Sequence, residues 1–77
     1  MDNNYTVKRI QELYDKAFDE DGNVRLCGRD VCIELIIQMT AFFGSRINFG
    51  DVTTGYMNVG NVKKYYEMLM NPKEGKL

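Results

Sequence analysis

A chain of seventy-seven residues, 44% hydrophobic and 27% charged, has the make-up of one ordinary globular domain. Its net charge of −1 builds in no general attraction to nucleic acid or anionic lipid. Two cysteines and no histidine argue against a zinc centre or a disulfide framework, and no apolar run approaches the ~20 residues that span a bilayer.

The first helix is legible in Val7, Ile10, Leu13, Tyr14, Ala17 and Phe18, which recur at helical spacing. Lys8, Arg9, Glu12, Asp15, Lys16 and Asp19 take the opposite face. Asn4 or Thr6 is expected to cap its start, and Gly22 to end it in a left-handed conformation. Asp21-Gly22-Asn23 then signals a turn. Val24-Arg25-Leu26 reads as a short extended piece with Val24 and Leu26 pointing inward. The acids from Asp19 to Asp21 invite a calcium loop. Counted from Asp19, however, the sixth position is Val24 where glycine is required, and the twelfth, Asp30, falls in a helix. Cys27, between Arg25 and Arg29, has a setting that favours thiolate, but the chain offers it no imidazole base.

The central helix, from about Arg29 to Phe43, dominates the sequence. Cys32, Leu35, Ile36, Met39, Phe42 and Phe43 form one wide stripe, and Val31, Ile33, Ile37 and Ala41 extend it past both edges. Asp30, Glu34 and Gln38 make a narrow polar ridge. A helix this apolar has to be covered from more than one side, by its own chain or by another. Gly44 is placed to cap its end.

Residues 44–58 are irregular, with a short hairpin between 46–49 and 56–59 or an ordered loop as the two readings. Gly50 and Gly55 have the outer spacing of a phosphate-binding loop, but Tyr56-Met57 stands where Lys-Ser/Thr must follow. Val59, Val62, Tyr65, Tyr66 and Leu69 restore helical spacing, with Asn58 or Asn61 as cap and Asn71-Pro72 as the stop. The expected fold is an all-α three-helix domain over residues 1–77, with a central apolar helix, helices one and two antiparallel, and frayed ends at 1–4 and 72–77. The start of the chain lacks the basic and apolar regions of a signal peptide, so the cytoplasm is the expected location.

These residues point away from catalysis. No nucleophile–base pair, metal set or complete phosphate loop is visible, so no catalytic residue, metal or cofactor is expected. The expected role is protein–protein interaction, as a small adaptor, regulator or inhibitor of bacterial or phage type that pairs with itself as a homodimer or with another protein. A small core supplies only ~3–5 kcal/mol, and oligomerisation is a common supplement. Ile33, Ile37, Phe42, Phe43, Met68 and Met70 are the candidates for self-association, and Phe49, Thr53, Tyr56 and Met57 for a different partner. Methionine and aromatic side chains are enriched at such interfaces. The alternative is a nucleic-acid-associated accessory protein, with Arg46, Lys63 and Lys64 on phosphate and Tyr65 and Tyr66 near bases.

Overall fold

The computed structural model describes residues 3–26 and 28–71, and the side chains from Tyr5 onward within them. The Cys27 thiol and the Pro72 stop lie outside the described residues, as does the fraying expected at 1–4 and 72–77 except at Asn3 and Asn4, which are helical. Within them the chain forms α1 (Asn3–Ala17), α2 (Arg29–Phe43), β1 (Gly50–Asp51), β2 (Tyr56–Met57) and α3 (Val59–Met70). It is a mostly helical small fold carrying one antiparallel hairpin.

Helix α1 starts before the expected caps. Asn4 and Thr6 both lie inside it, and Thr6 is buried. Its apolar face delivers Ile10, Leu13 and Ala17 to the core, with Phe18 just beyond its end. The helix ends at Ala17, and Gly22 takes its positive φ of 83° in the following turn. One carboxylate oxygen of Asp19 accepts from the backbone N–H groups of Asp21 and Asn23, each at 2.9 Å. This explains the acidic run as a turn builder.

Past the turn the chain doubles back. Phe18 and Val24 form an isolated antiparallel bridge, and the Arg25 N–H donates to the Ala17 carbonyl at 2.8 Å. The Arg25 guanidinium donates to the Phe18 carbonyl at 2.9 Å. Backbone bonds anchor this piece to the end of α1, and its side chains are left outside. Val24 is 51% exposed and Leu26 fully so. The inward placement expected for these two residues is therefore corrected.

Helix α2 begins after an extended Gly28, with Asp30 in the first turn where a negative charge suits the helix dipole. At its end the Gly44 N–H donates to the Thr40 carbonyl at 2.8 Å. Ala17 beside Arg25 and Arg9 beside Glu34 pair falling with rising numbers, so α2 runs antiparallel to α1.

The hairpin forms later than the expected first strand, pairing Gly50 with Met57 and Asp51 with Tyr56. Two glycines set the register. Gly50 has φ 139° and Gly55 φ 77°, conformations that exclude most other residues. Asp51 then organises the turn: its carboxylate accepts from the Thr53 N–H at 2.9 Å and the Thr53 hydroxyl at 2.6 Å. Those glycines serve a hairpin and not a phosphate cradle.

Helix α3 is capped by Asn58, whose side chain accepts from the Asn61 N–H at 3.2 Å. Tyr66 lies on Tyr14, and Met70 lies by Gln11, so α3 runs antiparallel to α1. The Lys63 ammonium donates to the Gly22 carbonyl at 2.7 Å and ties α3 to the α1–α2 turn. The core joins the three helices and β2: Ile10, Leu13, Ala17 and Phe18 meet Leu35, Ile36, Met39, Phe49, Met57 and Val62.

Candidate interaction surface on the central helix

At 100° per residue, the side chains of α2 sort into four directions. Leu35, Ile36 and Met39 are buried, with Cys32, Phe42, Phe43 and Val31 packed partly against the same core. Glu34 turns toward α1. Its carboxylate accepts two hydrogen bonds from Arg9, from Nε and Nη2 at 2.8 Å each, while Arg9 Nη1 reaches Glu12 at 3.2 Å. Glu34 and then Glu12 hold the Arg9 guanidinium even more firmly protonated than usual. The opposite flank of α2 carries the hairpin. Both Gly50, beside Ile36, and Gly55, beside Arg29, approach so closely that a Cβ at either would collide.

Between these two covered flanks lies the remaining direction, which holds Asp30, Ile33, Ile37 and Ala41. Ile37 is 49% exposed, Asp30 and Ala41 are exposed, and Ile33 is half-buried. An apolar ridge thus runs down the most hydrophobic helix of the chain with no element of the described fold over it.

The expected self-association set divides. Ile33 and Ile37 share this ridge. Phe42 and Phe43 do not; both pack partly against the core, and Phe43 meets Tyr65 edge-on with ring centres 5.2 Å apart and Phe49 at a tilt, 5.9 Å away. Met68 and Met70 flank Leu69 on different sides of α3, with Met68 half-buried and Met70 40% exposed beside Gln11. The expected partner set divides too. Phe49 is 1% exposed and Met57 is 6% exposed, so both are core residues and the surface role expected for them is corrected. Met57 alternates with the exposed Tyr56 on β2 and shares the face of Gly50 that lies against Ile36, whereas Phe49 stands just before β1, its carbonyl accepting from the Asn58 N–H at 2.9 Å. Thr53 and Tyr56 stand exposed on the hairpin, with Val52 beside them.

Arg46 and Lys64 are exposed, and Lys64 lies 5.6 Å over the Tyr65 ring. Lys63 has its ammonium on the Gly22 carbonyl. Tyr65 packs edge-on against Phe43 and Phe49, and Tyr66 lies flat on Tyr14 with ring centres 3.6 Å apart. Burial pushes the phenols of Tyr14 and Tyr66 up, with Glu67 adding to the first and Asp15 to the second. These tyrosines are structural staples between α1, α2 and α3.

A cleft of about 290 Å³ is lined by Tyr14, Asp15, Phe18, Asp19, Glu20 and Arg25. Its polar groups are partly occupied: Asp19 closes the turn and Arg25 holds the Phe18 carbonyl. Among the described residues no buried side-chain nitrogen or oxygen lacks a hydrogen-bond partner. No helix among them is long and apolar enough to cross a membrane.

Several of these features escape sequence reading. The Arg9–Glu34 pair leaves a trace only as two charges on adjacent polar stripes. The exposure of Ala41 and Val52 leaves none. Compared with known proteins, the chain matches no family model, no curated relative and no solved structure.

Proposed function

We propose that this chain is a non-enzymatic protein–protein interaction module whose docking surface is the outward ridge of α2, and that it associates with itself through that ridge. The observation that carries the reading is the exposure of Ile37, at 49%, midway along a helix whose other sides are packed. Contiguous apolar surface bounded by charge is what interaction sites offer. Here Asp30 and the Arg9–Glu34 pair supply the charged border. The nucleic-acid alternative draws less support. Lys63 is engaged with Gly22, and both tyrosines are packed against other rings, so Arg46 and Lys64 remain without a stacking platform.

The test is molar mass in solution across a concentration series for the wild type, Ile37→Asp and Leu26→Asp. Fully burying an isoleucine is worth about 1.5–3 kcal/mol. Ile37 has about half its surface left to bury. Two copies then supply about 2 kcal/mol, so Ile37→Asp weakens association about thirtyfold or more. Leu26→Asp, more exposed still but off the ridge, leaves it unchanged. A wild type that stays monomeric at millimolar concentration contradicts self-association. A dimer indifferent to Ile37→Asp contradicts the assigned surface.

A further inference from the structure

Taking the α2 ridge as the docking surface, we infer that its occupant is the same ridge of a second copy, lying antiparallel across a two-fold axis at Ile37. Closed pairs are isologous, so a helix meeting its own copy must be complementary to itself. In the antiparallel register centred on Ile37, each side chain four residues before the axis faces one four residues after it. Ile33 therefore faces the partner's Ala41, and Ala41 the partner's Ile33, large against small on both sides. Ile37 meets the partner's Ile37 at the centre.

The charges obey the same register. Asp30 lies seven residues before Ile37, about 10 Å along the axis at 1.5 Å per residue. Arg46 lies nine residues after it, three past the last residue of the helix in the exposed turn that follows, and in this register Asp30 faces the partner's Gly44, two residues before that arginine. Both residues are exposed, and neither forms an ion pair with a described residue. Antiparallel pairing sets each Asp30 beside the partner's Arg46 at both ends of the contact. Parallel pairing would set Asp30 against Asp30 and Arg46 against Arg46, and like charges so placed oppose docking. Glu34, the other acid of α2, is already held by Arg9 through two bonds and does not compete for Arg46. The two helix dipoles also run opposed in this arrangement, which is the favourable sense.

A charge-reversal cycle tests the register. Wild type, Asp30→Arg, Arg46→Asp and the double variant are compared by sedimentation equilibrium, with circular dichroism confirming the fold of each. Asp30→Arg alters the helix start. Arg46→Asp lies in an exposed turn and leaves the helix intact, so it keeps the test decisive if the first variant is destabilised. Each single reversal is expected to weaken the dimer about tenfold. The double variant is expected to return to within about threefold of wild type, because its charges again oppose. A wild-type dimer that Ile37→Asp disrupts but that neither single reversal weakens, or whose double variant is no tighter than the singles, overturns the antiparallel register and leaves the docking reading standing. A dimer that Ile37→Asp does not disrupt, or a monomeric wild type, overturns both.

Discussion

Gly50→Ala tests how the hairpin comes to cover one flank of α2. A Cβ at Gly50 would lie 2.2 Å from the backbone carbonyl oxygen of Tyr56 and 2.7 Å from Ile36 Cδ1. The isoleucine tip can rotate aside. The carbonyl belongs to the paired strand and cannot move without opening the hairpin. The backbone adds to the cost, because φ 139° is close to glycine-only territory. Strain of that kind costs about 1–3 kcal/mol. Overpacking against an immobile neighbour adds about 1–3 kcal/mol. A loss of about 3 kcal/mol is therefore expected. At roughly 4–8 °C per kcal/mol in a domain of this size, the melting midpoint falls by about 12–24 °C. Thermal unfolding followed by circular dichroism at 222 nm reads it, and Ser45→Ala, in an exposed turn outside the hairpin, serves as the control. A Gly50→Ala midpoint within 2 °C of wild type would refute the close approach of the hairpin to α2.

Leu35 is fully buried, and Leu35→Ala should cost about 2–5 kcal/mol by denaturant unfolding; a cost under 1 kcal/mol would displace it from the centre of the core. The phenols of Tyr14 and Tyr66 are raised in the fold, first by burial and then by neighbouring acids. Their protonated forms are thus favoured when folded, so stability is full below the ordinary phenol range near 10 and is lost as pH rises through it. Melting midpoints between pH 8.5 and 11 should fall, and Tyr66→Phe should flatten that slope; an equal slope in the variant would count against the buried stack. The Asp51 carboxyl is held below its usual range, chiefly by the Thr53 hydroxyl and then by the Thr53 N–H. Thr53→Val should raise its midpoint in an NMR titration of the carboxyl carbon, while an unchanged midpoint would remove the hydroxyl from that role.

Much of this fold is written in local pattern. The helical spacings of 7–18, 29–43 and 59–69 fall within the observed helices or a residue or two beyond their ends, because each places one apolar stripe against a common core. Gly44 and Asn58 are legible as caps, since each satisfies an end group by a short-range bond. The hairpin register is harder to read. It depends on Gly50 lying against Ile36, a contact between residues fourteen apart that no local pattern encodes. Val24 and Leu26 mislead because alternation implies burial, whereas backbone bonds to α1 hold that piece with its side chains outside. The apolar excess of α2 is plain in the sequence. Which of its residues remain outside is not, since that depends on where α1 and the hairpin settle. Phe42 and Phe43 turn inward as a result, and Ile37 does not.

The most direct test of the ridge is methyl and amide NMR on serial dilution. On dilution from millimolar to low micromolar concentration, resonances of Ile33, Ile37 and Ala41 should shift together along one binding curve, with Asp30 and Arg46 following at the ends. Spectra that do not change on dilution, or changes centred on Leu26, Val52 and Met70 with the α2 ridge silent, would contradict the assignment of this helix face as the place where the protein docks.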